Sequence, residues 1–314
     1  MKITILDGHA LNPGDLSWDC IRAFGSVTYY DRTEGEDLTV QRIGDSEIIL
    51  LNKVAITENV IARCPQLKLI CVLATGYNVV DCKAAAARGI PVCNVPGYGT
   101  DAVAQFTFAL LLELCHRVGL HSDSVHNGDW SACPDFCYWK TPQMELAGKT
   151  MGIIGYGAIG QAVANISRAF GMQVLAYSRT HHPEHTYVDL DTLLANSDVI
   201  SLHCPLFAEN TGMINSETIA KMKDGAILLN TARGALIDEA AVAEALKSGK
   251  LRGMAADVVC HEPILTDSPL LTAPNCILTP HMAWEPVESR QRILDATVQN
   301  IRTFLSNKPQ NVVN

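Results

Sequence analysis

A series of short apolar segments, rich in β-branched residues and spaced by helix-length stretches, constrains this chain more than any other feature. They are Ile3–Leu6, Glu47–Leu51, Leu69–Leu73, Thr150–Ile154, Gln173–Tyr177, Asp198–Leu202, Ala226–Asn230, Met254–Asp257 and Cys276–Leu278. Their apolar residues run continuously rather than alternating. A strand of that kind is buried on both faces, which requires a parallel sheet covered by crossover helices. The predicted class is therefore α/β, with doubly wound parallel sheets. At roughly 150 residues per domain, 314 residues suggest two such units.

Composition narrows the partners. With 48% hydrophobic and 18% charged residues the chain has the material for packed cores, not for disorder. A net charge of −9 argues against nucleic acid and anionic membrane surfaces. The longest apolar run, Phe106–Leu114, is about half of the roughly 18 residues a bilayer span needs, and it contains Glu113. The opening MKITILDG has the pattern of a first strand, not of a signal peptide. Eleven scattered cysteines, several inside apolar runs (Cys71, Cys93, Cys115, Cys276), suit a reducing cytoplasm.

The first strand series ends near Val92–Gly97. A long apolar helix then starts at Thr100–Asp101, with Asp101 placed to favour its N-terminus, and is long enough to space two domains. Residues His121–Met144 are polar and aromatic without a period, and are read as a loop crossing a surface or dimer contact. The tail has helical spacing at Val287, Ile293, Val298, Ile301 and Phe304. A helix there is expected to pack back on the first domain. The division expected is 1–98 with 285–314 against 99–284.

Gly155-Tyr156-Gly157-Ala158-Ile159-Gly160 follows the strand TMGII and opens a helical pattern. In that context Gly155 permits the tight turn, Gly157 lets backbone approach a pyrophosphate, and Gly160 lets helix and strand pack closely. The helix N-terminus supplies amides to the phosphates. An NAD site places an acid about 20 residues on. Here the next strand ends in Ser178-Arg179-Thr180, with no acid before Glu184. A guanidinium and two hydroxyls can bind a 2′-phosphate, so NADP(H) fits better and NAD(H) stays open. The alternative is that Arg179 stacks on adenine or faces solvent.

Arg233, Glu262 and His281 each follow a predicted strand, the edge where open parallel sheets hold their ligands. Arg233 can bind a carboxylate in bidentate fashion, and His281 can exchange a proton near neutral pH. Glu262 can fix the imidazole tautomer and stabilise its charged form. His181, His182, Glu184 and His185 could hold a metal, but a solvated loop is the simpler reading. Cys133 and Cys137 lack the paired spacing of a zinc site. No metal is expected, and Cys204 and Cys260 have no feature of a nucleophile.

The ordered motifs Ala74-Thr75-Gly76-Tyr77, Asn94-Val95-Pro96-Gly97, Gly155–Gly160, Asn230–Gly234, Glu262-Pro263 and Thr279-Pro280-His281 cover nearly the whole chain. Together they make it resemble the NAD(P)-dependent D-isomer-specific 2-hydroxyacid dehydrogenases. The resemblance implies a Rossmann-type cofactor domain inserted into a flavodoxin-like substrate domain. It implies His281 as acid/base, Glu262 as its partner, Arg233 as substrate binder, and Thr75, Gly76 and Tyr77 at the substrate carboxylate. It further implies that Val103, Thr107, Cys204, Pro205, Leu206, Thr211, Thr231, Ala232, Asp257, His281 and Ala283 line the cofactor. Two departures stand out: Ala104-Gln105 where the family has Ala-Glu, and the missing ribose-binding acid.

Within the family the chain is most similar to the hydroxypyruvate reductase and glycerate dehydrogenase branch, through LDGHALNPGDLSW and DFCYW. The expected substrates are hydroxypyruvate/D-glycerate or glyoxylate/glycolate, and the resemblance suggests a homodimer. D-lactate or 2-hydroxyisocaproate chemistry is the alternative. A nucleotide-sensing co-repressor is the alternative of another class, disfavoured by the complete Arg233/Glu262/His281 set.

Overall fold

The computed structural model describes residues 1–181 and 187–314 of the chain. The chain forms two compact units, Met1–Gly99 with Trp284–Asn314, and Thr100–Ala283.

The first unit is built on β1 (Lys2–Ile5), β2 (Ser26–Tyr29), β3 (Ile48–Leu51), β4 (Leu69–Val72) and β5 (Val92–Cys93). These pair in the order β2-β1-β3-β4-β5, and every pair is parallel. Continuous apolar strands serve both faces. In β3, Ile48 and Leu50 join a core with Ile3, Ile5, Leu69 and Cys71, while Ile49 and Leu51 join the opposite one with Ile70, Val72, Val60 and Ile61. The C-terminal helix Val287–Leu305 closes the first of these cores through Ile293, Leu294, Val298 and Ile301. Val287, expected on that face, is 43% exposed because it opens the helix ahead of the buried stretch. In the same unit Thr75, Gly76 and Tyr77 follow β4. Asn94 Nδ2 donates to Thr75 O at 2.8 Å and Thr75 Oγ1 to Val95 O at 2.9 Å, which pins the start of that loop.

The second unit contains β6 (Thr150–Ile154), β7 (Gln173–Tyr177), β8 (Val199–Leu202), β9 (Ala226–Asn230), β10 (Leu251–Ala256) and β11 (Cys276–Leu278). Their order is β11-β10-β9-β8-β6-β7, all parallel. The order reverses at β6, between β8 and β7, which is where such sheets open a crevice beyond their strand ends. The helix Thr100–His116 lays Ala104, Phe108, Leu111 and Cys115 on the core of this unit. Those residues recur at helical spacing, so one stripe faces the sheet.

Three expectations need correcting. The strand taken to begin at Met254 begins at Leu251, with a register shift against β9 between Leu251 and Gly253. β2 was not expected, because its burial alternates along Ser26–Tyr29 as an edge strand's does, instead of running continuously apolar. The segment read as a loop from His121 opens inside a helix, Val118–His126. No apolar stripe announces that helix. Arg117, at φ +47°, separates it from the preceding one, and side chains then bond to its backbone: His121 Nδ1 with Arg117 O, Ser124 Oγ to His121 O, and His126 Nδ1 with Ser122 O. No single helix among the described residues is long and apolar enough to cross a membrane.

Candidate active site

The turn after β6 has the mechanics its glycines imply. Gly155 sits at φ +97°, and a Cβ there would stand 2.4 Å from Cys204 N, so the loop after β8 lies directly against this turn. A Cβ on Gly160 would fall 2.2 Å from Gly155 O, which only a glycine allows. A Cβ on Gly157 would meet nothing within 4 Å. Protein packing therefore does not demand this glycine, while a ligand approaching the backbone would. Gly157 caps the twelve-residue helix Ala158–Ala169 without any side-chain hydrogen bond, and Gly157 and Ala158 are exposed. The amides of Ala158 and Ile159 thus head a helix whose N-terminus suits phosphate. The residues present fit a dinucleotide.

At the end of β7, Ser178 is half-buried and Arg179 and Thr180 are exposed. The Arg179 guanidinium carbon lies 3.9 Å from the centroid of the Phe207 ring. Of the other residues expected to line the cofactor, Thr211 is exposed and donates to Phe207 O at 3.0 Å. Thr107 is fully buried, its hydroxyl donating to Val103 O and lying 3.0 Å from the hydroxyl of Thr231. Val103 is buried as well. Thr107 thus links the Thr231 hydroxyl to the helix backbone at Val103. His182, Glu184 and His185 of the suggested metal cluster lie outside the described residues; His181 stacks on Tyr187 at 4.3 Å. Among the described residues no group of acids, histidines and cysteines could hold a metal.

The three ionisable residues follow three adjacent strands, β9, β10 and β11. Arg233 is exposed, three residues beyond β9. Asn230, the last residue of that strand, holds the following loop through two bonds: Oδ1 accepts from Ala232 N at 3.1 Å and Nδ2 donates to Arg233 O at 2.9 Å. Gly234 brings this loop against the next, since a Cβ there would lie 1.9 Å from Val259 C. Beyond β10, Glu262 accepts from Val259 N through Oε1 at 3.3 Å and meets His281 Nδ1 through Oε2 at 2.7 Å. The carboxylate is thus fixed by its own loop while it orients the imidazole. Both side chains keep about a third of their surface, 34% for His281 and 37% for Glu262.

His281 occupies the left-handed region at φ +55°, where a side chain with a Cβ is strained. Asp257 holds it there. Its buried carboxylate accepts from Thr279 Oγ1 at 2.6 Å, Met282 N at 2.9 Å and Ala283 N at 2.8 Å, bracketing His281 on both sides. Sequence reasoning placed Asp257 and Ala283 at the cofactor and missed this clamp. It also missed Asn230, whose only signal was a polar residue closing an otherwise apolar strand.

His203, just past β8, places Nε2 2.7 Å from Ser201 Oγ and buries Nδ1 with no hydrogen-bond partner. Burial pushes its pKa from 6.5 down to about 3, so the ring stays neutral at ordinary pH. Unfolded, it binds a proton near its usual value. The stability gained by hosting a neutral ring is therefore full above pH 6.5 and lost as pH falls toward 3. Each pH unit in that window costs up to about 1.4 kcal/mol. His203→Gln is expected to lose roughly 1–2 kcal/mol less stability than the unmodified chain between pH 6.5 and about pH 5, read by urea unfolding. Parallel curves would show that another group titrates.

Comparison with known proteins places these features in one family. Residues 108–283 match the family described as D-isomer specific 2-hydroxyacid dehydrogenase, NAD binding domain. The chain is 53% identical to a hydroxypyruvate reductase of Blautia hydrogenotrophica, over 100% of both chains. It is 44% identical to a glycerate dehydrogenase of Methylorubrum extorquens, over 90% of each. Among solved structures it is similar to an acyclic imino acid reductase in complex with NADPH and D-Arg, with a TM-score of 0.87, 31% identity and 100% of both chains covered.

Proposed function

The chain belongs to the D-isomer specific 2-hydroxyacid dehydrogenases, oxidoreductases that use a nicotinamide cofactor on small hydroxy and oxo acids, and on that premise we propose that it reversibly reduces hydroxypyruvate to D-glycerate, or glyoxylate to glycolate, with NADP(H). The hydrogen bond between His281 and Glu262, beside the Arg233 loop, carries this reading. The relatives' names favour neither the D-lactate nor the co-repressor alternative.

Bound reduced nicotinamide supplies the hydride. Arg233 offers its guanidinium fork to the substrate carboxylate and so aligns the neighbouring carbonyl. His281 gives a proton to the carbonyl oxygen as that oxygen gains charge, and takes it back in the reverse direction. Glu262 engages Nδ1, which makes Nε2 the nitrogen where the proton moves, and it stabilises the imidazolium between turnovers. Asp257 keeps the imidazole in register through the backbone on either side. The amides of Ala158 and Ile159 and the backbone at Gly157 would hold the pyrophosphate, with Thr231, Ala232, Cys204 and Pro205 around it. The substrate choice is tested by kcat/KM across 2-oxo acids. Hydroxypyruvate and glyoxylate should exceed pyruvate and 2-oxoisocaproate, and the reverse order overturns the substrate assignment.

Ser178, Arg179 and Thr180 support NADP(H) over NAD(H). A carboxylate at this loop would repel a 2′-phosphate, whereas a guanidinium holds it through bonds worth about 1.5–3 kcal/mol. Exposure and salt reduce that. The expected preference for NADPH is about tenfold in kcat/KM, mostly through KM, since the phosphate is remote from the reacting atoms. Ser178→Asp with Arg179→Ala should reverse it. A tenfold preference for NADH in the unmodified enzyme would contradict the assignment.

The reading includes a homodimer in a reducing, cytoplasmic setting, in keeping with eleven free cysteines. Between Val118 and Trp139 the second unit exposes Val118 (62%), Trp130 (52%), Phe136 (89%) and Trp139 (69%), a concentration of apolar surface typical of association sites. Sedimentation should give twice the 34.0 kDa chain mass, and Phe136→Glu with Trp139→Glu should give the single chain. A monomeric unmodified protein excludes the dimer.

A further inference from the structure

We propose that Phe207 is a specificity-determining residue, whose ring positions the Arg179 guanidinium for the 2′-phosphate of NADP(H); the inference rests on the NADP(H) reading above. Arg179 follows β7 and Phe207 follows β8, strands that flank β6 on opposite sides. Their loops meet across the glycine turn that follows β6. The guanidinium carbon lies 3.9 Å from the ring centroid. Among the described residues Arg179 has no ion pair and no hydrogen bond.

The ring belongs to a firmly held segment. Asn210 Oδ1 accepts from Phe207 N at 2.6 Å, Asn210 Nδ2 donates to Pro205 O at 2.9 Å, and Thr211 Oγ1 donates to Phe207 O at 3.0 Å. Phe207 itself is 37% exposed, so no core holds the ring in place and its backbone is pinned instead. Arg179, by contrast, is a long exposed side chain that would otherwise sample many rotamers.

The chemistry of the contact matches the task. A carboxylate could also hold Arg179, but it would neutralise the cation and occupy its N–H groups. An aromatic face attracts the cation and accepts no conventional hydrogen bond from it. All five N–H donors stay available for phosphate oxygens, with the full positive charge. The ring thus reduces the ordering cost of binding a 2′-phosphate without competing with it. NAD(H), lacking that phosphate, gains nothing equivalent, so the contact acts on nucleotide choice.

The test is the ratio of dissociation constants for NADH and NADPH in the unmodified protein, Arg179→Ala, Phe207→Leu and Phe207→Tyr. Leucine keeps an apolar side chain and removes the π face; tyrosine keeps the face. Phe207→Leu is expected to lower the preference for NADPH by about two- to fivefold, with Phe207→Tyr close to the unmodified ratio. Phe207→Met serves as a second face-removing variant should the leucine protein be unstable. If Arg179→Ala collapses the preference while both the Leu and Met variants keep it, Phe207 does not position the guanidinium, and the NADP(H) reading survives. Equal losses in the Leu and Tyr variants also overturn the role of the ring. If the unmodified protein shows no preference, or Arg179→Ala leaves it intact, the NADP(H) reading itself fails.

Discussion

Replacing His281 by Asn is expected to lower kcat by about 10²–10⁴-fold while reduced nucleotide binds within a few-fold of the unmodified enzyme. Asparagine suits the test because it tolerates the left-handed backbone that His281 adopts at φ +55°. The clamp from Asp257 to Met282 N and Ala283 N can then persist. The proton donor and its bond to Glu262 are lost. The loss should appear in kcat, since proton transfer is needed at the transition state and not for binding. A variant retaining half of the original kcat would place the proton donor elsewhere.

Arg233→Gln is expected to lower kcat/KM for the 2-oxo acid by about 10²–10⁴-fold. Two charge-assisted bonds to a carboxylate, at about 1.5–3 kcal/mol each, set that range. The loop should keep its form, because Asn230 holds it through backbone atoms of Ala232 and Arg233 and Gly234 packs on Val259. The loss is therefore chemical and not conformational. Arg233→Lys keeps the charge but not the planar fork, and should recover only part of the activity. If the lysine variant equals the unmodified enzyme, a point charge suffices and bidentate alignment is not used. If Arg233→Gln binds and turns over substrate normally, another residue holds the carboxylate.

What the sequence revealed follows from how each feature is held. Ile48–Leu51 and Leu69–Val72 could be read because both faces are buried, which leaves an unbroken apolar run. Ser26–Tyr29 could not, because an edge strand with alternating burial and polar residues gives little to count. The helix Val118–His126 was hidden for a different reason. Its stabilising bonds run from His121, Ser124 and His126 to the backbone, so no hydrophobic period marks it.

The site divides in the same way. Arg233, Glu262 and His281 were legible because strand ends in a parallel sheet converge and their chemistries complement one another. The bond between Glu262 and His281 joins loops after neighbouring strands, as strand order alone suggests. The clamp by Asp257 was not legible, since a carboxylate at a strand end looks the same whether it meets ligand or backbone. The contact of Arg179 with Phe207 depends on β7 and β8 flanking β6. No spacing in the sequence encodes that.

The most direct test follows one deuterium. Hydroxypyruvate is reduced with nucleotide carrying deuterium at the reactive C4 position, and the glycerate is analysed for label and configuration. Hydride transfer with proton donation by His281 predicts one deuterium at C2 of D-glycerate per turnover, and none under the same conditions with His281→Asn beyond its residual rate. Unlabelled glycerate, the L-isomer, or no consumption of hydroxypyruvate or glyoxylate with either nucleotide would contradict the account.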